Sequence, residues 1–362
     1  MRKKHFLFAS VLALLCGSST LHAQDFKLTS SGYFKNQGVD VMAFDDIYPE
    51  GHQGGVCIIM NGHRVATNGD IRLEATPGQW QPVPKQLDRK LGDNSITATL
   101  CYPDSSRHLT GFNPMIYPDL HLIYTVNVES KGKNIEVTVD LDRPIPQEFI
   151  GKVGFNLEFF PGSLFGKPWI MDGQSGIFPQ QPNSPLMTTQ PNYLHTGNYH
   201  DGKKSLADMN KLIGKGYSPI VADDIISEPY AKGTKFTSRP DDPYNKVTIE
   251  SLSGDLQLFD GRMNHNNGWF VLRSNIKPGV TKGAVKWIIT PNVVADWMYQ
   301  PVIQTSQIRY HPTQDKEAVI EMDIRDNRKE TAQIIRIDAD GEKVVKNVTP
   351  ANWGKFLRYN YL

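Results

Sequence analysis

Apolar and polar residues alternate one by one along much of this chain. The alternation is clearest at residues 122–128, 135–141 and 153–159. Because successive side chains of a strand point to opposite faces of a sheet, such runs place one face in a core and the other in water. The pattern predicts an all-β fold built from antiparallel sheets.

The other strand signals extend this prediction over residues 24–300. Residues 56–60 and 64–66 flank Asn61-Gly62, the residue pair that suits a two-residue type I′ hairpin turn. Residues 204–213 give the only fair helix pattern. Further strands are predicted at 247–252, 256–259, 269–272 and 285–289. Together these signals predict a large antiparallel β-sandwich.

The strand pattern breaks between residues 161 and 243, where proline and glycine are frequent. A loop of that size is uncommon unless it carries function or covers the core. We therefore expect residues 161–243 to be an irregular insertion that contributes a ligand surface.

The amino terminus has the pattern of a secretory signal peptide. Arg2, Lys3 and Lys4 precede a short apolar run, and small residues lead to a cleavage position at Ala23. A lipoprotein signal that uses Cys16 is the alternative. Residues 1–23 are thus expected to be removed and the protein to be periplasmic or extracellular, with no segment apolar enough to span a membrane.

Charge excludes one class of partner. Removal of the three leader cations changes the formal net charge from +1 to −2. Nucleic-acid binding requires a basic stripe on the protein surface, so a nucleic-acid partner is not expected for a chain of this net charge. Neutral ligands, sugars among them, fit this balance better.

Two cysteines remain after processing, Cys57 and Cys101. In an oxidising compartment they are a candidate disulfide, which would stabilise the fold by about 4 kcal/mol on the chain-entropy model. The alternative is a pair of buried thiols. No metal site is predicted, because the histidines lack ligand spacing and no CxxC motif is present.

A second unit begins near Gln304. Short strands are predicted at 308–312, 318–324, 333–337, 343–348 and 356–361. An immunoglobulin-like sandwich takes about 100 residues and seven strands. Residues 304–362 are therefore predicted to form an incomplete immunoglobulin-like sandwich, truncated at its carboxyl end.

Several stretches carry a family resemblance. They are Ile308-Arg309-Tyr310-His311-Pro312, Lys316-Glu317-Ala318-Val319-Ile320, residues 353–359, and, in the first unit, residues 61–73 and 166–172. In this order they resemble the non-catalytic front end of secreted bacterial glycoside hydrolases of family 9, the cellulase-type enzymes. In that family a cellulase immunoglobulin-like domain precedes the catalytic barrel.

The resemblance implies that the acids that cut the glycosidic bond lie downstream, so it assigns no catalytic residue to this chain. It favours an accessory region that contacts polysaccharide or a downstream catalytic domain. The alternatives are a self-standing β-sandwich hydrolase or lyase, and a glycan-binding protein of a polysaccharide-uptake system. No cofactor motif is present: neither a phosphate loop nor a Gly-x-Ser-x-Gly elbow occurs.

Candidate carboxylates are Asp45-Asp46, Asp172 and Glu158. A glycosidase holds two carboxyl groups roughly 5 to 10 Å apart across the sugar. Acids on turns and strand faces are often ordinary solvated surface groups. A catalytic role and a simple surface position therefore both remain open for these residues.

Aromatic residues are the better candidates for sugar contact, because sugar rings stack on flat side chains. The tryptophans expected on loops, Trp169 and Trp80, are the first candidates. A second group, Tyr193, His195 and Tyr199, lies close together in the long insertion. By contrast, residues 269, 287 and 297 are tryptophans in or near apolar strand runs and are expected in the core.

Overall fold

The computed structural model describes residues 25–45, 54–74, 76–77, 84–102, 120–182, 227–263, 268–328 and 331–362. Most of them lie in antiparallel strands, which confirms the all-β class. The strands are, in order, β1 Lys27–Leu28, β2 Phe34–Asn36, β3 Val39–Ala43, β4 Val56–Met60, β5 His63–Leu73, β6 Lys85–Leu91, β7 Ser95–Cys101, β8 Ile123–Lys131, β9 Asn134–Leu141, β10 Val153–Phe159, β11 Pro168–Met171, β12 Gln174–Ile177, β13 Ala231–Gly233, β14 Lys235–Ser238, β15 Val247–Ser251, β16 Leu256–Asp260, β17 Phe270–Asn275, β18 Val285–Pro291, β19 Val302–Gln304, β20 Val319–Asp323, β21 Ala332–Asp338, β22 Gly341–Val348, β23 Gly354–Phe356 and β24 Tyr359–Tyr361. Within the described residues, short 3₁₀ helices lie at Gln147–Phe149, Pro161–Ser163 and Gly261–Met263.

Two nine-stranded sheets form the sandwich. Sheet I has the order β1-β2-β3-β4-β5-β10-β17-β16-β13, and sheet II has the order β12-β11-β14-β15-β18-β9-β8-β7-β6. Apolar residues at every second position of both sheets form one continuous core. In its centre the ring of Trp287 on β18 meets that of Phe155 on β10 edge to face, with 4.9 Å between centroids. The strand alternation read from the sequence thus marks the side chains that join the sheets, and Trp287 is a core residue as expected.

The Asn61-Gly62 turn is confirmed. Asn61 and Gly62 have φ values of 53° and 85°, the positive pair that a type I′ turn requires, and they connect β4 to β5. Strand β5 extends to Leu73, well beyond the run predicted from sequence, and pairs with the central strand β10.

Parts of the insertion expected to be irregular form strands. Residues 168–177 fold into the β11–β12 hairpin, and residues 231–238 supply β13 and β14. Strand β14 pairs with β11, so this hairpin extends sheet II. Gly173 in the hairpin turn has a φ of 84°, which explains why a glycine-rich stretch with weak strand signals can still form a tight hairpin. The helix predicted at residues 204–213 lies outside the described residues.

Of the two alternatives that the sequence leaves open, the structure shows the second: Cys57 and Cys101 are not joined by a disulfide, and both thiols are buried. Cys57 lies between core residues of β4 in sheet I, and Cys101 lies between core residues of β7 in sheet II. Each thiol therefore points to the outward face of its own sheet. The Cys57 Sγ lies 3.0 Å from the Thr67 Oγ1. Because the sheets of a sandwich pack about 10 Å apart, opposite outward faces cannot bring two sulfurs into bonding distance.

This placement predicts that reductant leaves stability unchanged. For purified residues 24–362, dithiothreitol is expected to shift neither the thermal midpoint nor the mobility on a denaturing gel. A disulfide closing a loop of this length would be worth about 4 kcal/mol. A fall in the thermal midpoint on reduction, reversed by reoxidation, would contradict the structure. Thiol titration of the unfolded, unreduced chain is expected to find both cysteines reactive.

After β18 the chain forms two smaller sheets. Sheet III has the order β19-β20-β24-β23, and β21 and β22 form a separate two-stranded hairpin. The strands predicted near residues 318–324, 333–337 and 343–348 are confirmed. Residues predicted as a single strand at 356–361 instead form part of a hairpin, in which Gly354–Phe356 pairs with Tyr359–Tyr361.

The strand predicted at residues 308–312 is wrong. Arg309 has a φ of 74° and its carbonyl accepts a hydrogen bond from the Ser306 hydroxyl, so the segment turns. Pro312 cannot donate to a strand ladder, and Ile308 is fully exposed. The strand that precedes β20 is instead β19, at Val302–Gln304.

The β21–β22 hairpin presents apolar side chains to solvent. Ile335 and Val344 are direct cross-strand partners, and both are about half exposed, as is Val345 beside them. A two-stranded sheet alone is marginally stable in water, and contiguous exposed apolar surface commonly marks an interaction site. Within the part of the chain that the structure describes, no helix is long and apolar enough to cross a membrane.

Candidate functional site

The structure corrects the expectation of a loop platform at Trp169. This residue lies on β11, its side chain is 7 % exposed, and it belongs to the core. Its ring packs on Gly176 of β12, where an added Cβ would come within 2.4 Å of a ring carbon. Glycine at this position therefore makes room for the indole, which presents no open stacking face. The other aromatic candidates, Trp80, Tyr193, His195 and Tyr199, lie outside the described residues.

Asp172 has a structural role, because its side chain stabilises a turn of the backbone. Its carboxylate accepts hydrogen bonds from the backbone N–H groups of Thr234 and Lys235, and these bonds hold its pKa below the ordinary value. Burial acts in the opposite direction and is outweighed by these hydrogen bonds. Asp45 lies 3.6 Å from Arg89 in a half-exposed ion pair. Asp46, the neighbour of Asp45 in the candidate pair, lies outside the described residues.

Glu158 belongs to a buried polar network on the outward face of sheet I. Along β10 the core residues alternate with Gly154, Asn156 and Glu158, so these three point away from the core. The Asn68 side chain of β5 donates to the Glu158 carboxylate at 2.6 Å. The strand alternation could have placed these side chains on one face, but the neighbouring strands could not be assigned from sequence.

Glu74 and Arg273 form the centre of this network. The Arg273 Nη1 lies 3.3 Å from the Glu74 Oε1, and the Arg273 Nη2 donates to the Glu74 carbonyl oxygen at 3.1 Å. Asn156 joins them: its amide donates to Glu74 at 2.6 Å and accepts from Arg273 at 3.2 Å. Gly154 leaves the space that the guanidinium needs, because a Cβ there would lie 2.8 Å from the Arg273 Nε.

The network contains carboxyl groups with displaced pKa values. Burial raises the pKa of Glu74 to about 7, against the lowering effect of Arg273 and Arg72. Burial likewise raises the pKa of Asp70 to about 6, against Arg72 and a hydrogen bond from the Tyr124 hydroxyl. Displaced pKa values are common at catalytic sites but also occur in structural ion-pair networks. Here Glu74 is 1 % exposed and Glu158 is 4 % exposed, so a polysaccharide does not reach them.

A different set of residues encloses an open cavity of about 250 Å³. One wall comes from residues 35–38, Asp40 and Gly62 of sheet I. The other comes from Trp297, Tyr299 and residues 323–325 and 358–359. Residues far apart in the sequence meet there because Trp297 and Tyr299 lie on the segment that links β18 to β19.

Aromatic rings form much of the second wall. The rings of Trp297 and Tyr299 are 6.2 Å apart at 64°, and those of Tyr299 and Tyr359 are 5.2 Å apart at 65°. All three side chains are partly exposed. Trp297 is therefore not the core residue expected from sequence. Its ring packs on Gly38, where a Cβ would lie 2.8 Å from a ring carbon.

Paired charges complete the cavity. Asp40 of β3 is ion-paired with Arg358, and Arg325 binds Asp323 at 2.9 Å. Burial raises the pKa of Asp40, although Arg358 and Lys35 oppose this shift. Burial would also raise the pKa of Asp323, but hydrogen bonds from Arg325 and from the Tyr299 backbone outweigh it and lower that pKa.

A metal is not indicated at either site: among the described residues no group of three or more His, Cys, Asp or Glu side chains could hold one. No strong signal for the cavity is present in the sequence. In retrospect, two features point to it: the Trp297-Met298-Tyr299 segment before Pro301, and the repeated Asp-x-Arg spacing of Asp323–Arg325 and Asp326–Arg328.

Comparison with known proteins gives only distant similarities. No family model matches the chain, and no curated protein matches it. Among solved structures, a candidate mutarotase from Salmonella typhimurium shares 9 % identity at a TM-score of 0.34, covering 74 % of this chain and 96 % of that one. A protein from Synechocystis sp. has 10 % identity and a TM-score of 0.32, with coverage of 80 % and 100 %.

A galactose mutarotase-related enzyme from Lactobacillus acidophilus has 9 % identity and a TM-score of 0.30, with coverage of 71 % and 96 %. At such TM-scores these neighbours do not define the function of this chain. A functional proposal for this chain therefore depends on its own residues.

Proposed function

We propose that this chain is a non-catalytic, carbohydrate-associated accessory region of a family 9-like polysaccharide-degrading glycoside hydrolase. The observation that carries the non-catalytic assignment is the burial of Glu74 and Glu158, which are compensated by Arg273 and Asn68 and closed to a polymeric substrate. Hydrolysis of a glycosidic bond needs two carboxyl groups that flank an accessible sugar.

The accessory role has two further supports. A large sandwich followed by small antiparallel sheets agrees with the order that the family resemblance implies. The apolar surface of the β21–β22 hairpin, around Ile335 and Val344, is the kind of surface that a companion domain covers. The companion domain that the resemblance implies is the catalytic domain.

One observation favours the alternative of a self-standing hydrolase. Asp40 and Asp323 line the same cavity, and their pKa values are displaced in opposite directions. An acid and a base with separated pKa values are what glycoside hydrolysis uses. However, Arg358 and Arg325 already bind these two carboxylates, which leaves neither placed to exchange a proton with a substrate.

The proposal is tested with purified residues 24–362 on β-glucans, xylan, mannan and pectin, with release of reducing ends as the measurement. We expect no release from any of them, and we expect the chain to raise the thermal midpoint of an added family 9-type catalytic domain. Release by the chain alone would overturn the proposal. Its loss in an Asp40→Asn variant, with retention in Glu74→Gln, would assign the activity to the cavity.

A further inference from the structure

We propose that the cavity between sheet I and sheet III binds one neutral saccharide unit through the rings of Trp297, Tyr299 and Tyr359. This inference deepens the proposed function, on whose carbohydrate association it rests. It concerns residues that the sequence alone did not select.

The size of the cavity fits a small ligand. Its volume of about 250 Å³ is far above the roughly 10–15 Å³ that a single water needs. It lies slightly below the range of roughly 300 to 1,000 Å³ that is typical of sites for drug-sized ligands. A single sugar ring, with part of its neighbours left outside in solvent, suits that space.

The rings give the cavity its apolar surface. Trp297, Tyr299 and Tyr359 are neither sealed in the core nor fully exposed, so each ring retains a surface that a ligand can contact. Their positions are fixed from behind. Gly38 and Gly62 have positive φ values and approach Trp297 and Tyr299 so closely that a side chain at either glycine would displace the ring. Such rigid aromatic surfaces match the C–H faces of a sugar.

The polar groups around the rings suit hydroxyls better than charges. Asp40 is neutralised by Arg358, and Asp323 by Arg325, within the wall itself. The Arg358 guanidinium also lies over the Tyr359 ring, 5.3 Å from its centroid. These side chains are therefore held in place before a ligand arrives, and they offer both donors and acceptors. Lys35 is the one cation of the lining that lacks a described ion-pair partner.

The test is titration of residues 24–362 with neutral oligosaccharides of glucose, xylose and mannose, followed by tryptophan fluorescence and calorimetry. We expect saturable binding of at least one of them. Affinity is expected to fall roughly tenfold in Trp297→Leu, the scale of one aromatic contact. A similar fall is expected in Asp40→Asn, which keeps the shape of the wall. The matched control is Trp353→Ala, since Trp353 lies outside the lining and is 73 % exposed.

The inference would be overturned by no binding of any neutral oligosaccharide, or by equal affinities in the wild-type chain and both cavity variants. Preferential binding of oligogalacturonate that is lost in Lys35→Ala would also overturn it, by showing an acidic ligand. Near-ultraviolet circular dichroism confirms that each variant is folded. Since binding is measured without hydrolysis, its failure leaves the non-catalytic assignment untouched, and release of reducing ends would defeat that assignment alone.

Discussion

Replacement of Arg273 by methionine is expected to lower the free energy of unfolding by about 3 to 5 kcal/mol at pH 8. Arg273 is 1 % exposed and supplies the positive charge next to Glu74. Methionine fills similar space but removes the closest positive charge from the buried Glu74 carboxylate, together with the hydrogen bonds that Arg273 donates to the Glu74 carbonyl and the Asn156 amide oxygen. Urea denaturation of residues 24–362 measures the change.

The matched control is Arg143→Met. Arg143 pairs with Asp142 at 3.0 Å but is 54 % exposed, so its loss is expected to change stability by less than about 1 kcal/mol. A double variant, Arg273→Met with Glu74→Gln, is expected to recover part of the loss, because no carboxylate is then left without its partner. Equal losses of unfolding free energy in Arg273→Met and Arg143→Met would show that Arg273 does not compensate the buried charge of Glu74.

Stability is expected to decrease as the pH rises from about 5 to 8, and Glu74 is expected to be a main cause. Burial raises the pKa of Glu74 from 4.5 to about 7 in the folded chain, so the folded state holds a proton that the unfolded state has released. A group of this kind contributes its full stability below the unfolded pKa and loses it as the pH passes the folded pKa. The loss amounts to roughly 3 kcal/mol for a shift of this size.

The measurement is urea unfolding of the wild-type chain and of Glu74→Gln at several pH values. Glutamine cannot titrate. The free energy of unfolding of Glu74→Gln relative to that of the wild-type chain is therefore expected to be higher at pH 8 than at pH 4. Asp70→Asn is expected to remove a further part of the slope, since burial raises the Asp70 pKa to about 6. Parallel stability profiles for the wild-type chain and Glu74→Gln would contradict this prediction, because they would show that the pKa of Glu74 is the same in the folded and unfolded states.

Much of the sandwich follows from local pattern. Residues 135–141 and 153–159 alternate because β9 and β10 each contribute one face to the core, and that information is contained in the strand itself. The Asn61-Gly62 turn is equally local. Strand β11 was missed because Pro168 and the glycines near it weaken the signal, and pairing with β14, almost seventy residues away, provides the stabilisation.

The candidate site was much harder to predict. Arg273 lies on β17, Asn156 lies on β10 and Glu74 directly follows β5, and the register of these strands, not their sequence, brings the three residues together. The same holds for the cavity, where Asp40 meets Arg358 across 318 positions of sequence. Trp297 looked like a core residue because it follows an apolar strand, although its ring packs on the backbone of Gly38 at the surface.

The two walls of the cavity come from distant parts of the chain, so a molecule bound there would contact both parts. A bound molecule would touch Lys35, Asp40 and Gly62 at the first sheet together with Trp297, Tyr299 and Tyr359, and would therefore hold the first sheet and the carboxyl-terminal strands together. At a concentration one hundred times its dissociation constant, such a molecule would add about 2.7 kcal/mol to the folded state. A protein built in this way would become more resistant to heat and proteolysis when its ligand is abundant.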